Sequence, residues 1–390
     1  MSGSGTNVAI RGIGETHYLR KSGRTLDDLQ ATAIRDALSD AELSPSDIDA
    51  VVTDCAIMPL SYSVDKAISQ LGLLNVRHVG TFSTGLIGLN YGLDFARSLV
   101  LAGKASNVLF YFGVDWGSAT GNAYSYHERF PMKLHYELPY GFYGQPVYYA
   151  TYAQRYAYDY ELSAAELAEG LGDIAINSRY NASLNKHAQE QSLIAMDDYL
   201  ASPLIADPLR KLDCSLLTDG AGAFVVSAVD GSWAHDPVLI RGVSHAQQVI
   251  DDQDFYTQNP RHPQFPASAL CMENLLRETG MSRSEIDILE IYDCFTISLV
   301  LQLESLGFCE PGDGIHVGSS GRTRVDGAMP VNTHGGLLSQ GYMLGMNHLI
   351  EAVRQLRHEA GEAQVPGART ALVAGAPARE YSVALLSRAQ

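Results

Sequence analysis

The chain has 390 residues and a formal net charge of −17, with an ordinary globular share of apolar and aromatic residues. That length buries a large core, as two domains or as one large α/β body. The acidic balance argues against a nucleic-acid partner, which needs clustered Lys and Arg, but leaves room for an anionic small molecule held by a few basic residues or helix N-termini.

In chain order, the opening "GIGETH" carries only a weak glycine pattern, too little for a nucleotide-binding turn. "LDDLQATAIRDALSDA" follows, with apolar residues near helical spacing. "LSPSDIDAVVTDC" (Leu43 to Cys55) opens on a Ser-x-x-acid capping signal, Ser44 to Asp47, and runs into an apolar β-branched strand. Then come "VGTFSTGLIGLNYG", a helix over "GLNYGLDFARSL" (Gly88 to Leu99) and the strand "NVLFYFGV".

From about Trp116 to Ala206 the strand-helix rhythm is lost and tyrosine is abundant. The stretch after Leu138 reads as a turn, a helix from about Pro146, a cap at Ser163 with Glu166, and a second helix. Tyr148, Tyr152, Tyr156 and Tyr160 fall four apart and form a stripe. Packed core or a subunit interface is the first reading of it, a ligand-facing surface the alternative.

After "PLRKLDCSLLTDGAGAFVVS" (Pro208 to Ser227) the pattern repeats. "ASALCMENLLRETG" is again helical, and "MSRSEIDILEIYDC" (Met281 to Cys294) parallels the earlier capped strand, with Ser282 and Glu285 as its cap. "GMNHLIEAVRQL" (Gly345 to Leu356) parallels Gly88 to Leu99, with Gly, Asn, acid and Arg in register, and leads to the strand "TALVAGA". Two matched pairs in the same order predict two α/β halves with equivalent glycine-led helices. The expected division is 1–230 for the first half, with an inserted region at about 116–206, and 231–390 for the second.

The five cysteines, Cys55, Cys214, Cys271, Cys294 and Cys309, show no CxxC or Cys/His spacing, so neither a disulfide framework nor a zinc site is indicated. No signal-peptide pattern or membrane-length apolar run stands out, and a cytoplasmic location is expected.

The duplicated halves, the central insertion, "YDCF" (Tyr292 to Phe295) and "NTHGG…GYMLG" together resemble the thiolase superfamily, in its sterol-carrier-protein-type, lipid-transfer branch. The resemblance covers nearly the whole chain. It implies an α/β fold of five layers, αβαβα, in which the halves pack their buried helices together, and a dimer. It also locates what is missing. Where thiolases carry the nucleophilic cysteine this chain has Phe82, followed by Ser83. Where they carry the histidine of Gly-His-Pro-x-Gly it has Tyr342, and where the third motif begins with Asn or His it has Tyr292. The further cysteine near the last strand is absent from "TALVAGAPAREYSVALL".

Claisen exchange needs an activated thiolate, and a phenyl ring cannot attack a carbonyl. A retro-aldol cleavage needs no acyl-enzyme, only a base for a hydroxyl, donors for an enolate oxygen and an acid for carbon. Steroid side-chain aldolases in this branch resemble the chain in carrying tyrosine at both positions. The expectation is therefore an acyl-CoA aldolase acting on a bulky 3-hydroxyacyl-CoA of the steroid side-chain thioester class, with Tyr292 and Tyr342 sharing the acid, base and enolate-stabilising roles. His334, Gly335, Gly336, Phe82 and Ser83 are the candidate substrate or oxyanion residues. Gly335 and Gly336 are also expected to set backbone geometry, and His334 to orient a phenol or touch the thioester. No metal and no tightly bound cofactor are expected, CoA entering as part of the substrate. The resemblance also implies a small OB-fold, zinc-ribbon partner protein. A non-catalytic subunit of a heteromeric acyltransferase and an acyl-CoA or lipid-binding protein are the alternatives.

Overall fold

A computed structural model describes residues 7–54, 63–82, 86–118, 133–142, 144–229, 231, 233–247, 265–375 and 380–389. The first half contains β1 (Val8–Glu15), α1 (Leu26–Asp40), β2 (Ala50–Asp54), α2 (Val64–Leu71), β3 (His78–Phe82), α3 (Leu86–Leu101) and β4 (Asn107–Asp115). The inserted region supplies α4 (Gln145–Asp159), α5 (Ala164–Ser183), α6 (Met196–Ala201) and the short pair β5 (Leu204–Ala206) and β6 (Leu209–Arg210). β7 (Asp219–Ala228) returns the chain to the sheet. The second half contains β8 (Val238–Gln247), α7 (Pro266–Thr279), β9 (Ile288–Ile291), α8 (Thr296–Ser305), α9 (Met346–Arg357), β10 (Thr370–Gly375) and β11 (Glu380–Arg388).

Local chemistry sets the element starts. Thr25 caps α1 by accepting from the Asp28 amide, and Asp27 and Asp28 sit in its positive first turn. The repeated capping signals fold alike. The Ser44 amide donates to Asp47 Oδ2 at 2.8 Å, and the Ser282 amide donates to Glu285 Oε2 at 2.8 Å. Each closes one short 3₁₀ turn before β2 or β9.

The strands join in the order β3-β2-β4-β7-β1-β8-β11-β10-β9. β2 is parallel to β3 and β4, and β9 to β10, whereas β7 and β11 run antiparallel to their neighbours. Among the described residues the halves meet in the sheet at Ala9↔Leu239 and Ile10↔Val238. Val331 bridges Leu289 in parallel, the counterpart of β3 beside β2. α3 and α9 each pack on strands of both halves, while α1 covers β1, β4 and β7 and α7 covers β8 and β11. The result is the expected five layers, with α3 and α9 in the middle one.

The tyrosine stripe is core. Tyr148, Tyr152 and Tyr156 are buried, and two of their phenols are satisfied there. Tyr148 donates to Glu137 Oε2 at 3.2 Å and Tyr156 to Glu304 Oε1 at 2.5 Å. Tyr160 reaches the surface. No helix among the described residues is long and apolar enough to cross a membrane.

Candidate active site

β9 is a buried four-residue strand whose last ladder bond is the Tyr292 amide to the Ala374 carbonyl, at 2.9 Å. Beyond it the chain leaves the sheet, and side chains replace the missing ladder partners. Asn332 is bidentate to Ile291, accepting from its amide at 2.7 Å and donating to its carbonyl at 2.8 Å. Gln302 of α8 donates to the Tyr292 carbonyl at 2.6 Å. A buried backbone must find such partners, and here they fix the direction of the Tyr292 side chain.

Tyr342 arrives from the other side. Asn332 to Gly335 make a turn that leads into a wide helical turn at Gly336–Gln340. Gly335 and Gly336 have φ of 102° and 62°. A Cβ on Gly336 would lie 2.0 Å from Asp293 Oδ2, so glycine is needed for both conformation and approach. Tyr342 then lies in an irregular connection, with the Met343 amide bonded to the Gly341 carbonyl across it at 3.1 Å, before Gly345 opens α9 at Met346. Its amide donates to Thr218 Oγ1 at 2.9 Å, and its ring packs on Trp116 with centroids 5.0 Å apart.

The two phenol oxygens are 2.7 Å apart. Tyr292 is almost fully buried and Tyr342 half-buried. Burial first, then the neighbouring Tyr342 and Cys294, push the ionisation of Tyr292 well above that of a free phenol. Cys294 has its own thiol pushed up to about 12 by burial, so it is no substitute for the missing thiolate. Tyr149 stacks on Phe295 at 4.3 Å between centroids.

Phe82 ends β3, half-buried, edge-on to Phe95 at 5.9 Å and stacked beside Tyr91 at 6.4 Å. It packs against the same apolar cluster as Tyr342. Ser83 lies outside the described residues. His334 is fully buried, with its ring edge-on to His348 at 4.7 Å and Nδ1 2.9 Å from Glu290 Oε2. That contact is close without being aligned for a hydrogen bond. The structure thus places His334 in a carboxylate cluster rather than against either phenol ring. Burial pushes its ionisation down and that of Glu290 up to about 8, which leaves both neutral near pH 7. Thr333 Oγ1 lies 2.9 Å from Glu290 and 2.7 Å from Glu351, and one hydroxyl hydrogen serves only one carboxyl at a time. A proton held on one of the acids resolves the conflict, in keeping with the raised values of both.

Glu290, His334 and His348 bring one possible ligand atom each within 4.8 Å of the others. By composition this suits a metal. However, His348 Nε2 faces the Ile291 carbonyl at 3.1 Å and Nδ1 faces Asn347 Oδ1 at 3.3 Å. Nε2, which faces acceptors at Ile291 and Asp293, carries a ring hydrogen and offers no lone pair to an ion there.

Sequence reading paired Tyr292 with Tyr342 and missed Thr218, Trp116, Tyr149, Gln302, Asp293, Asn347 and His348. Strand alternation after Tyr292 would turn Asp293 to the opposite face. β9 ends two residues earlier, and Asp293 Oδ1 accepts from the Leu337 amide at 2.8 Å. Asp219, in "TDGAGA", accepts from the Ser22 and Ser118 amides at 2.8 Å each.

Comparison with known proteins fits this geometry. The chain is 32% identical over 367 residues, 90% of its length and 91% of the relative's, to the 17-hydroxy-3-oxo-4-pregnene-20-carboxyl-CoA lyase of Mycobacterium tuberculosis. The chain belongs to the steroid side-chain-cleaving aldolase family. It is likewise 31% identical over 363 residues, 90% of each chain, to the aldolase of that name from Thermomonospora curvata. Residues 257–388 match the family described as Thiolase C-terminal domain-like. The solved Ltp2-ChsH2(DUF35) aldolase superposes with a TM-score of 0.87 at 28% identity, covering 98% of both chains. Human mitochondrial 3-ketoacyl-CoA thiolase, at 14% identity and a TM-score of 0.69, shares the fold of this aldolase.

Proposed function

We propose that the chain cleaves a bulky 3-hydroxyacyl-CoA, of the steroid side-chain class, by a retro-aldol reaction at the Tyr292–Tyr342 pair. The observation that carries this is the 2.7 Å bond between the two phenol oxygens in a site where Phe82 stands in place of a nucleophile. The names of the two relatives support the substrate class.

Tyr342, the less buried phenol, takes the substrate hydroxyl proton while passing its own to Tyr292, and Tyr292 gives one up to carbon. The hydroxyl oxygen becomes a carbonyl, the bond between C2 and C3 breaks, and its electron pair enters the thioester as an enolate. Protonation at C2 completes a ketone or aldehyde and a shorter acyl-CoA. One proton leaves oxygen and one arrives at carbon, with no oxidant and no covalent intermediate. A relay of this kind never needs a free phenolate, which suits Tyr292, whose ionisation burial opposes. CoA enters as part of the substrate, and the step calls on no further cofactor. His334, Gly335 and Gly336 belong to the supporting turn in this reading.

The working form we propose is a homodimer core with a small OB-fold, zinc-ribbon partner. The solved relative described as an Ltp2-ChsH2(DUF35) aldolase supports a partner of this kind. The test is turnover of 3-hydroxyacyl-CoA esters by the complex, with both products quantified by mass spectrometry. Tyr292→Phe and Tyr342→Phe should each lower kcat/KM by about 10²–10⁴, the range of positioned proton transfer. Normal turnover in both variants would sink the assignment.

A further inference from the structure

We infer that Asn347 and His348, at the start of α9, are the positioning residues that hold the two tyrosines at hydrogen-bond distance. This rests on the tyrosine pair being the reacting pair. Two segments that approach from opposite sides must be tied to something common if their phenols are to meet within a few tenths of an ångström. Sheet hydrogen bonds do not tie them, because β9 has ended and α9 has not begun.

The adjacent side chains of Asn347 and His348 make that tie. His348 Nε2 donates to the carbonyl of Ile291, the residue before Tyr292, at 3.1 Å. Asn347 Nδ2 donates to the carbonyl of Gly341, the residue before Tyr342, at 3.2 Å, and to Gln340 Oε1 at 2.8 Å. With its amide nitrogen committed to two acceptors, Asn347 keeps its oxygen on the side of His348 Nδ1, 3.3 Å away, and the two contacts come from adjacent residues of one helix turn, which makes them one bracket. Asp293, the residue after Tyr292, closes it from the other side. Its Oδ1 lies 3.3 Å from His348 Nε2 and accepts from the Leu337 amide in the turn leading to Tyr342.

All three residues are buried, Asn347 and His348 at 1% exposure each and Asp293 at 1%, so water cannot replace a lost donor at low cost. Neither Asn347 nor His348 touches the phenol oxygens; each acts through the backbone next to a tyrosine.

The experiment uses the assembled complex and three variants. His348→Leu removes the Nε2 donor, His348→Gln keeps an amide donor on the side chain, and Asn347→Asp is isosteric but takes the donor from Gly341. Misplacement without loss of substrate contacts should appear in kcat with little change in KM. We expect kcat to fall about 100-fold in His348→Leu and Asn347→Asp with KM within about threefold, and His348→Gln to recover at least about tenfold. If His348→Leu does not fold, Asn347→Asp carries the test alone. Wild-type kcat in Asn347→Asp, or a loss in His348→Leu that tracks only the folded fraction and is not recovered by His348→Gln, would overturn the inference. Tyr342→Phe runs alongside: a silent Tyr342→Phe defeats the tyrosine reading, whereas a damaged Tyr342→Phe with a silent Asn347→Asp defeats only the bracket.

Discussion

In the first half β3 delivers Phe82 towards α3, where its ring meets Phe95 and Tyr91, and Tyr91 in turn stacks on His245 at 4.0 Å. In the second half the equivalent approach to α9 delivers Tyr342, held by Thr218, Trp116 and the Tyr292 phenol. Both approaches use a glycine-led buried helix in the same layer. One has become a stack of rings with nothing to donate at Phe82, the other a chain of hydrogen bonds ending in two phenols. The difference teaches that a duplicated scaffold can lose nucleophilic chemistry in one half and keep proton chemistry in the other, because the two depend on different side chains brought to one place by the middle layer.

The sharpest way to break that comparison is to remove both phenols. If they act as one relay, Tyr292→Phe/Tyr342→Phe should be no worse than the poorer single variant, each near the ~10²–10⁴ loss of general acid-base catalysis. Losses that multiply in single-turnover assays would mean two independent roles in place of a shared proton path.

A smaller effect should come from the carboxylate cluster around His334. Glu290 has its folded-state value pushed up to about 8 by burial, above its value in an unfolded chain. The folded protein therefore holds a proton that the unfolded chain has released, and stability falls as pH rises towards 8. Glu351 is shifted in the same direction. His334, pushed down, gives the opposite slope, but only below the ordinary histidine range. The window from about pH 6.5 to 8 reads Glu290, worth up to ~1.4 kcal/mol per pH unit there. Glu290→Gln should melt with a flatter pH dependence there than the natural chain. An unchanged slope in calorimetry would show that Glu290 does not hold its proton.

The fold was legible because its duplication is written locally. Ser44 with Asp47 and Ser282 with Glu285 are short-range capping signals, and the glycine-led helices repeat Gly, Asn, acid and Arg in register. The tyrosine pair was legible through position, since both residues stand where thiolase motifs carry other chemistry. Thr218, Trp116 and Tyr149 were not, because they reach the site from β7's approach, β4's end and α4, and no sequence spacing links segments so far apart. Asp293 was misplaced for a different reason: alternation along a strand holds only while the strand lasts, and β9 stops at Ile291. His348 and Asn347 looked like ordinary helix residues, since their role depends on two carbonyls contributed by other segments.

The smallest expected effect tests the first half directly. Restoring the thiolase residue by Phe82→Cys puts a thiol at the end of β3 but brings no base to ionise it. The place of the thiolase histidine is Tyr342, a phenol that is itself protonated at neutral pH and already bonded to Tyr292. Cys294, nearby, illustrates what burial does to a thiol in this core. The introduced thiol should therefore form no acyl adduct with acyl-CoA by intact-mass analysis. Aldol cleavage should stay within about threefold of the natural chain, since an apolar truncation at a half-buried ring costs packing more than chemistry. A stable acyl-enzyme in this variant would mean that the second half still activates a nucleophile, and that the two halves differ by one side chain instead of by a whole hydrogen-bond network.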